Sequence, residues 1–143
     1  MPTRTARTIW NGGLNDGGGT VTLESSGIGS YEVNFPKRAA DNADGTTSPE
    51  ELIAAAHTAC FAMSFTSLLG AAGGSGQSLD VSADVTLGRD PAGGFRISEI
   101  ALTVSGSASG VSAEDFARIA EQAKAGCPVS KALAATPITL TVR

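Results

Sequence analysis

The period of apolar and polar positions changes several times along the chain, and each change marks an element. Val21 and Leu23 alternate with Thr20, Thr22 and Glu24, the period-two pattern of a half-buried strand. The sequence predicts strands over residues 3–10 and 19–24, with Asn11-Gly12-Gly13 and Asn15-Asp16-Gly17-Gly18 supplying turn chemistry between them. Tyr31, Val33 and Phe35 share one face of a third strand over 31–36, ended by Pro36. Residues 37–47 read as a polar loop with Arg38 near its start, and functional groups often sit on such loops.

The pattern then turns helical. Ser48 and Glu51 have the spacing of a capping box, Pro49 takes the first helical position, and Glu50 and Glu51 suit the positive end of the helix dipole. Carried to Leu69, this helix spans about 31 Å. Small or apolar residues cover its whole circumference, so it must be surrounded. One small sheet covers one side, and the other side calls for a further helix or a second subunit. The uncharged run from Leu52 to Ala72 approaches the span of a bilayer. However, His57, Thr58, Ser64, Thr66, Ser67 and Gly70 interrupt it, and much of its apolar content is alanine. A buried helix is expected, with no membrane partner.

Beyond it, residues 70–78 read as a flexible connector. Leu79, Val81, Ala83, Val85 and Leu87 alternate strictly with polar residues, and Arg89-Asp90-Pro91-Ala92-Gly93-Gly94 forms a turn. Phe95 and Ile97 share one phase while Ile100, Leu102 and Val104 take the other, a slip that predicts a bulge near Ser98-Glu99. Ser112 caps a second helix with Phe116, Ile119, Ala120 and Ala123 on its apolar face and Gly126 at its end. Cys127-Pro128 restarts a short helix through Ala134, and Ile138, Leu140 and Val142 mark a last strand. The order β-β-β-α-β-β-α-α-β predicts an α+β fold with a mostly antiparallel sheet and a long buried central helix, as one domain over residues 1–143.

Composition narrows the function. Ten Lys and Arg against fourteen Asp and Glu give a net charge of −4. With no basic cluster there is no electrostatic case for nucleic acid or an anionic membrane as a partner. The N-terminal residues carry arginines but no apolar segment, so a cytoplasmic protein is expected, where structural disulfides are rare. The two cysteines, Cys60 and Cys127, are then core thiols, metal ligands or redox groups.

Cys60 by itself reads as a small packing residue inside a buried helix. Cys127 stands just before Pro128 at a helix N-terminus, where free N–H groups and the dipole favour a thiolate, although a packing role also suits it. A Cys-x-x-Cys arrangement is absent. A zinc site would need more ligands than the thiols and the lone His57 supply. His57, three residues before Cys60, shares its face and is either a base or, more ordinarily, a hydrogen-bonded core residue. Arg38 by itself reads as a solvated loop cation. Glu50 has no capping duty, yet it lies about 15 Å of helix rise from Cys60. It can serve a thiol site only through a bridging arginine or from a partner whose long helix pairs antiparallel with this one.

The stretch Ser48-Pro49-Glu50-Glu51-Leu52-Ile53-Ala54-Ala55-Ala56-His57-Thr58-Ala59-Cys60-Phe61-Ala62-Met63, together with Lys124-Ala125-Gly126-Cys127-Pro128-Val129-Ser130, resembles the OsmC branch of the OsmC/Ohr family. These are the osmotically inducible protein C and organic hydroperoxide resistance proteins. The likeness takes in the Trp10 opening, the Leu79–Leu87 strand and the Ile138–Val142 strand. It implies an OsmC-like fold in an intertwined homodimer, and a thiol-dependent peroxidase with active sites between subunits. On this resemblance Cys60 is the peroxidatic thiol and Cys127 the resolving one. Arg38 stabilises the thiolate and Glu50 positions Arg38. The hydroperoxide oxidises Cys60 to a sulfenic acid, Cys127 captures it as a disulfide, and an external dithiol, such as that of a lipoyl protein, restores it. Neither metal nor organic cofactor is implied. Phe61, Met63 and Phe65 suggest an apolar pocket that prefers organic hydroperoxides over hydrogen peroxide. Joined to the helix geometry, the resemblance has Glu50 of one subunit serving Cys60 of the other. Two alternatives stand beside it. Cysteine acyl transfer or hydrolysis lacks an evident His–Asp pair and leaves the second thiol unexplained. A non-catalytic, small-ligand-binding stress dimer would simply bury its thiols.

Overall fold

In the computed structural model, which describes residues 1–143, the chain gathers into two units, residues 1–49 and residues 50–143. The first is an antiparallel meander of β1 (Arg7–Asn11), β2 (Gly18–Thr22) and β3 (Ser30–Val33), paired in the order β1-β2-β3. Its first turn closes tightly, with the Gly17 N–H donating to the Gly13 carbonyl at 2.9 Å. A side chain at Gly17 would collide with the carbonyl oxygens of Asn11 and Gly13, so glycine is required there.

The third strand is shorter than its alternation suggests. Asn34 is extended and caps a single helical turn, α1 (Phe35–Arg38), accepting the Lys37 N–H on its side-chain oxygen at 2.8 Å. Pro36 supplies the fixed φ of the first turn. An Asx cap followed by proline converts the expected strand end and loop start into helix. Val21 is the one buried apolar residue in this unit, while Ile9, Trp10, Leu14, Ile28 and Tyr31 are exposed. A three-stranded sheet with so little burial is not self-sufficient.

The second unit is organised around α2 (Pro49–Ala71), which ends two residues past the expected Leu69. Gly73 turns left-handed at φ +85°, and the Gly74 N–H donates back to the Leu69 carbonyl at 2.9 Å, closing the helix as a glycine cap. The connector expected over 70–78 is thereby reduced to a few residues. β4 (Ser75–Arg89) follows at once and pairs antiparallel with β5 (Phe95–Ser109). Thr86 pairs with Glu99 but Leu87 with Ile97, which leaves Ser98 as the extra residue of a bulge. The slip of phase in the sequence is therefore a real kink in the hairpin.

α3 (Ala113–Gly126) is capped by Ser112, whose hydroxyl accepts the Asp115 N–H at 3.1 Å. α4 (Pro128–Ala132) ends before the expected Ala134, and β6 (Ile138–Val142) lies parallel to β5 in the sheet order β4-β5-β6. Phe61, Phe65 and Leu69 of α2 pack with Leu102 and Val104 of β5 and with Phe116, Ile119, Ala120 and Ala123 of α3. The Phe65 and Phe116 rings meet edge to face at 4.8 Å between centroids.

α2 is long and apolar enough to cross a membrane by length and composition. Its apolar surface divides into two stripes instead. His57, Phe61, Phe65 and Leu69, at steps of four, are buried in the core. Ala56, Ala59, Met63, Thr66 and Gly70, at alternating steps of three and four, are exposed. The helix expected to be buried on all sides is buried by its own chain on one side.

Gly106 in β5 has φ +147°, and a side chain there would collide with the carbonyl of Ser78 on the paired strand. Gly106→Ala is expected to destabilise the fold by about 2 kcal/mol or more. Urea unfolding followed by circular dichroism measures it, and a variant as stable as the wild type refutes the assignment of strain.

Candidate active site

The site is built where α2 passes the junction of α3 and α4. At that junction Cys127 serves both helices. Its N–H donates to the Ala123 carbonyl at 2.8 Å and closes α3, and its own carbonyl accepts the Lys131 N–H at 3.0 Å and opens α4. Pro128 makes this double role possible. It keeps the preceding residue out of helical geometry, and Cys127 sits at ψ 124°, while proline needs no N–H in the first turn. The sulfur is thereby placed over the open amide groups of α4, with no solvent exposure.

Cys60 reaches the same place from the middle of α2, beside the buried stripe, and remains partly exposed. The two thiols are free, and each shifts the titration of the other. Their electrostatic settings differ. Burial pushes Cys127 up, but the N–H of Ser130, the Cys60 thiol, the Ser130 hydroxyl and the Val129 N–H together outweigh it, and its pKa falls below the ordinary value. Burial also pushes Cys60 up. Hydrogen bonds from the Val129 N–H and the Ser64 hydroxyl oppose this, but the neighbouring Cys127 adds to burial, and the net shift is upward. The two shifts run in opposite directions, up for the accessible sulfur and down for the buried one.

His57 is buried and donates to or accepts from Ser130 through Nε2···Oγ at 2.7 Å. Burial holds its pKa below the ordinary value, so the ring is neutral near pH 7. Of the two readings for His57, the hydrogen-bonded core residue is the one observed. Its Nε2 is engaged by Ser130. Ser130 is the site residue that sequence reasoning missed. Its spacing of three from Cys127 across a proline-started turn puts it one turn above that sulfur, and this was the available signal.

The remaining candidates lie apart from the sulfurs along the chain. Glu50 is buried in the first turn of α2, about 15 Å of helix rise from its own Cys60. Arg38 closes α1 in the N-terminal unit. Its neighbour Lys37 is ion-paired with Asp44. No group of three or more His, Cys, Asp or Glu side chains gathers at metal-ligating distance. Phe61 and Phe65 are fully buried in the core and cannot line a pocket for substrate, whereas Met63 is 68% exposed.

An α+β fold that brings two distant free cysteines together, one of them over a helix N-terminus, defines a class of dithiol redox proteins. The sequence pattern of OsmC-like proteins matches residues 41–143, and the chain belongs to that family. It is 43% identical over 126 residues to Peroxiredoxin OsmC of Escherichia coli (strain K12), covering 88% of this chain and 86% of that protein. Its fold is similar to the crystal structure of an organic hydroperoxide resistance protein from Elizabethkingia anophelis, with TM-score 0.78 and 30% identity over 99% of this chain and 96% of that one. It is similar also to the organic hydroperoxide resistance protein OhrB of Bacillus subtilis, with TM-score 0.76 and 26% identity over 97% of this chain and 98% of that one.

The buried His57 makes stability depend on pH. Its folded pKa lies below 6.5, its ordinary value, so the unfolded chain binds the extra proton first. Stability from this group is complete above that value and is lost as pH falls below it toward the folded pKa. The thermal midpoint of the wild type is expected to fall across that window, and His57→Gln is expected to flatten the slope there. Equal slopes in the two proteins rule out His57 as the source.

Proposed function

We propose that this chain reduces organic hydroperoxides through Cys60 and Cys127, as a cysteine-based peroxidase of the OsmC type. The observation that carries the reading is the meeting of two free thiols, one accessible and one held toward its thiolate. Access assigns the first step to Cys60, because Cys127 has no exposed surface for a peroxide to approach. The Cys60 thiolate attacks the distal peroxide oxygen. An S–O bond forms, the O–O bond breaks, and the alkoxide leaves and takes a proton to become the alcohol. Cys127 then attacks the Cys60 sulfur as a thiolate. The S–S bond forms, the S–O bond breaks, and hydroxide leaves with a proton as water. An external dithiol reduces the disulfide by exchange.

Preference for organic substrates rests on the names of the relatives, since Phe61 and Phe65 are removed from the site by burial. The upward shift of Cys60 creates a need that the family resemblance fills. Arg38 supplies the positive charge that holds the Cys60 thiolate, and Glu50 orients Arg38. In this reading the acidic and cationic partners come from a second subunit.

Two features support such a dimer. The exposed stripe Ala56, Ala59, Met63, Thr66 and Gly70 repeats at the spacing of a helix-pairing seam, with one large apolar side chain, Met63, among smaller residues. The N-terminal meander, with its exposed Ile9, Trp10, Leu14, Ile28 and Tyr31, also requires apolar cover. Sedimentation at micromolar concentration is expected to show a dimer, and Ala59→Glu to shift it toward monomer. A wild type found only as monomer removes this part of the reading.

The chemistry is tested by intact mass after one equivalent of cumene hydroperoxide. Wild type is expected to lose two hydrogens, Cys127→Ser to gain one oxygen on Cys60, and Cys60→Ser to stay unchanged. Arg38→Ala is expected to lower kcat/KM by roughly 100-fold, as loss of one charge-stabilising donor does. Thiols that stay inert in the native wild type would favour a ligand-binding dimer instead.

A further inference from the structure

His57 and Ser130 stand behind the thiol pair, and the peroxidase steps above give them no task. His57 comes from α2 and Ser130 from α4, both are buried, and they join through Nε2···Oγ at 2.7 Å. The other ring nitrogen of His57, Nδ1, is buried with no hydrogen-bond partner. That orphan atom decides the direction of the chain.

Ser130 has one hydroxyl proton; its Oγ meets His57 Nε2 at 2.7 Å, it stands one helical turn from Cys127, and its hydroxyl helps to lower the pKa of that thiol. If the proton pointed to His57 Nε2, the neutral ring would carry its own proton on Nδ1. A buried N–H donor would then be left unpaired, an arrangement that folded proteins rarely tolerate. If Nε2 carries the proton and donates to Ser130 Oγ, the atom left over is only a lone pair. The Ser130 O–H is then free to donate to the sulfur of Cys127. The burial that keeps His57 neutral is compatible with this single tautomer.

We propose that the His57–Ser130 pair is a positioning device for the resolving thiol, in which His57 Nε2–H fixes the Ser130 hydroxyl so that its proton is aimed at the Cys127 sulfur. The inference deepens the peroxidase reading and takes its division of roles from it. His57 touches neither substrate nor reacting sulfur, so it is a positioning residue. Ser130 donates to the reacting atom before the S–S bond forms. No net proton passes through the pair. Cys127 attacks as a thiolate, and the hydroxide released from Cys60 takes its proton from water. The titratable group facing Cys127 across the helix junction is Cys60 of α2, so the thiol titration is read with that residue replaced.

The test follows thiolate absorbance near 240 nm against pH in Cys60→Ser, where Cys127 is the remaining thiol. This arm needs no peroxide turnover and stands whether or not the peroxidase reading does. Ser130→Ala and His57→Leu are each expected to raise the titration midpoint by about one pH unit, a roughly tenfold loss of thiolate at fixed pH. His57→Gln, which keeps an N–H near the position of Nε2, is expected to restore much of it. In the chain with both cysteines, Ser130→Ala is expected to slow disulfide formation after the sulfenic acid has formed. Quenched-flow mass spectrometry separates these two steps. A Ser130→Ala protein that folds and titrates as its parent overturns the proposal, and so does equal loss in His57→Gln and His57→Leu. Should His57→Leu fail to fold, Ser130→Ala and His57→Gln decide alone. A wild type that never loses two hydrogens would instead sink the peroxidase reading while the titration still reported on the pair.

Discussion

Cys127 is fixed from both sides by its own backbone, since one helix ends on its N–H and the next begins from its carbonyl. Few positions in a chain are so constrained. α3 is locked to the core through Phe116, Ile119, Ala120 and Ala123, so the sulfur inherits the rigidity of that packing. Cys60 is held in the same way from the other side, because Phe61 and Phe65 anchor its helix turn in the same cluster. The distance between the sulfurs is therefore set by core packing and not by the flexibility of two side chains. A hydrophobic cluster is what holds the two thiol-bearing turns against each other.

The same junction divides labour between the sulfurs. Open amide groups at the start of a short helix favour the thiolate, but their sulfur is sealed from solvent. The sulfur that solvent can reach is the one whose pKa is raised. For a one-step thiol reagent this would be a poor arrangement, since reach and reactivity sit on different atoms. For two consecutive attacks it is orderly. The first attacker needs access and can receive its charge stabilisation from outside the unit. In the proposed sequence the second needs no access to bulk solvent, because its target is already beside it, and a lowered pKa favours its attack.

Much of this was legible in the sequence, and the failures have physical causes. The capping signals at Ser48 and Ser112, the paired prolines at helix starts and the phase slip at Ser98 are local effects, and each produced the element expected. The errors occur where a local competitor was overlooked. Asn34 capped a helical turn where alternation suggested strand, and Gly73 ended α2 so sharply that the expected connector shrank. Phe61 and Phe65 lie next to Cys60 in sequence, yet on a helix with no polar face nothing in the sequence says which apolar stripe points inward. Nothing in the sequence singles out Ser130, because the histidine it meets is more than seventy positions away and no periodicity connects the two.

That ambiguity of α2 is itself informative. A helix meant only to be half covered would carry charge on its open face, as α3 does with Glu114, Arg118 and Glu121. Alanine and methionine at the open positions cost little helix propensity, Thr66 and Gly70 cost more, and together they leave an uncharged stripe in water. The sequence gives up the solubility of a charged face along the full length of its longest helix. A second copy paired along that stripe would recover it. The composition of the stripe and its exposure then have one common explanation.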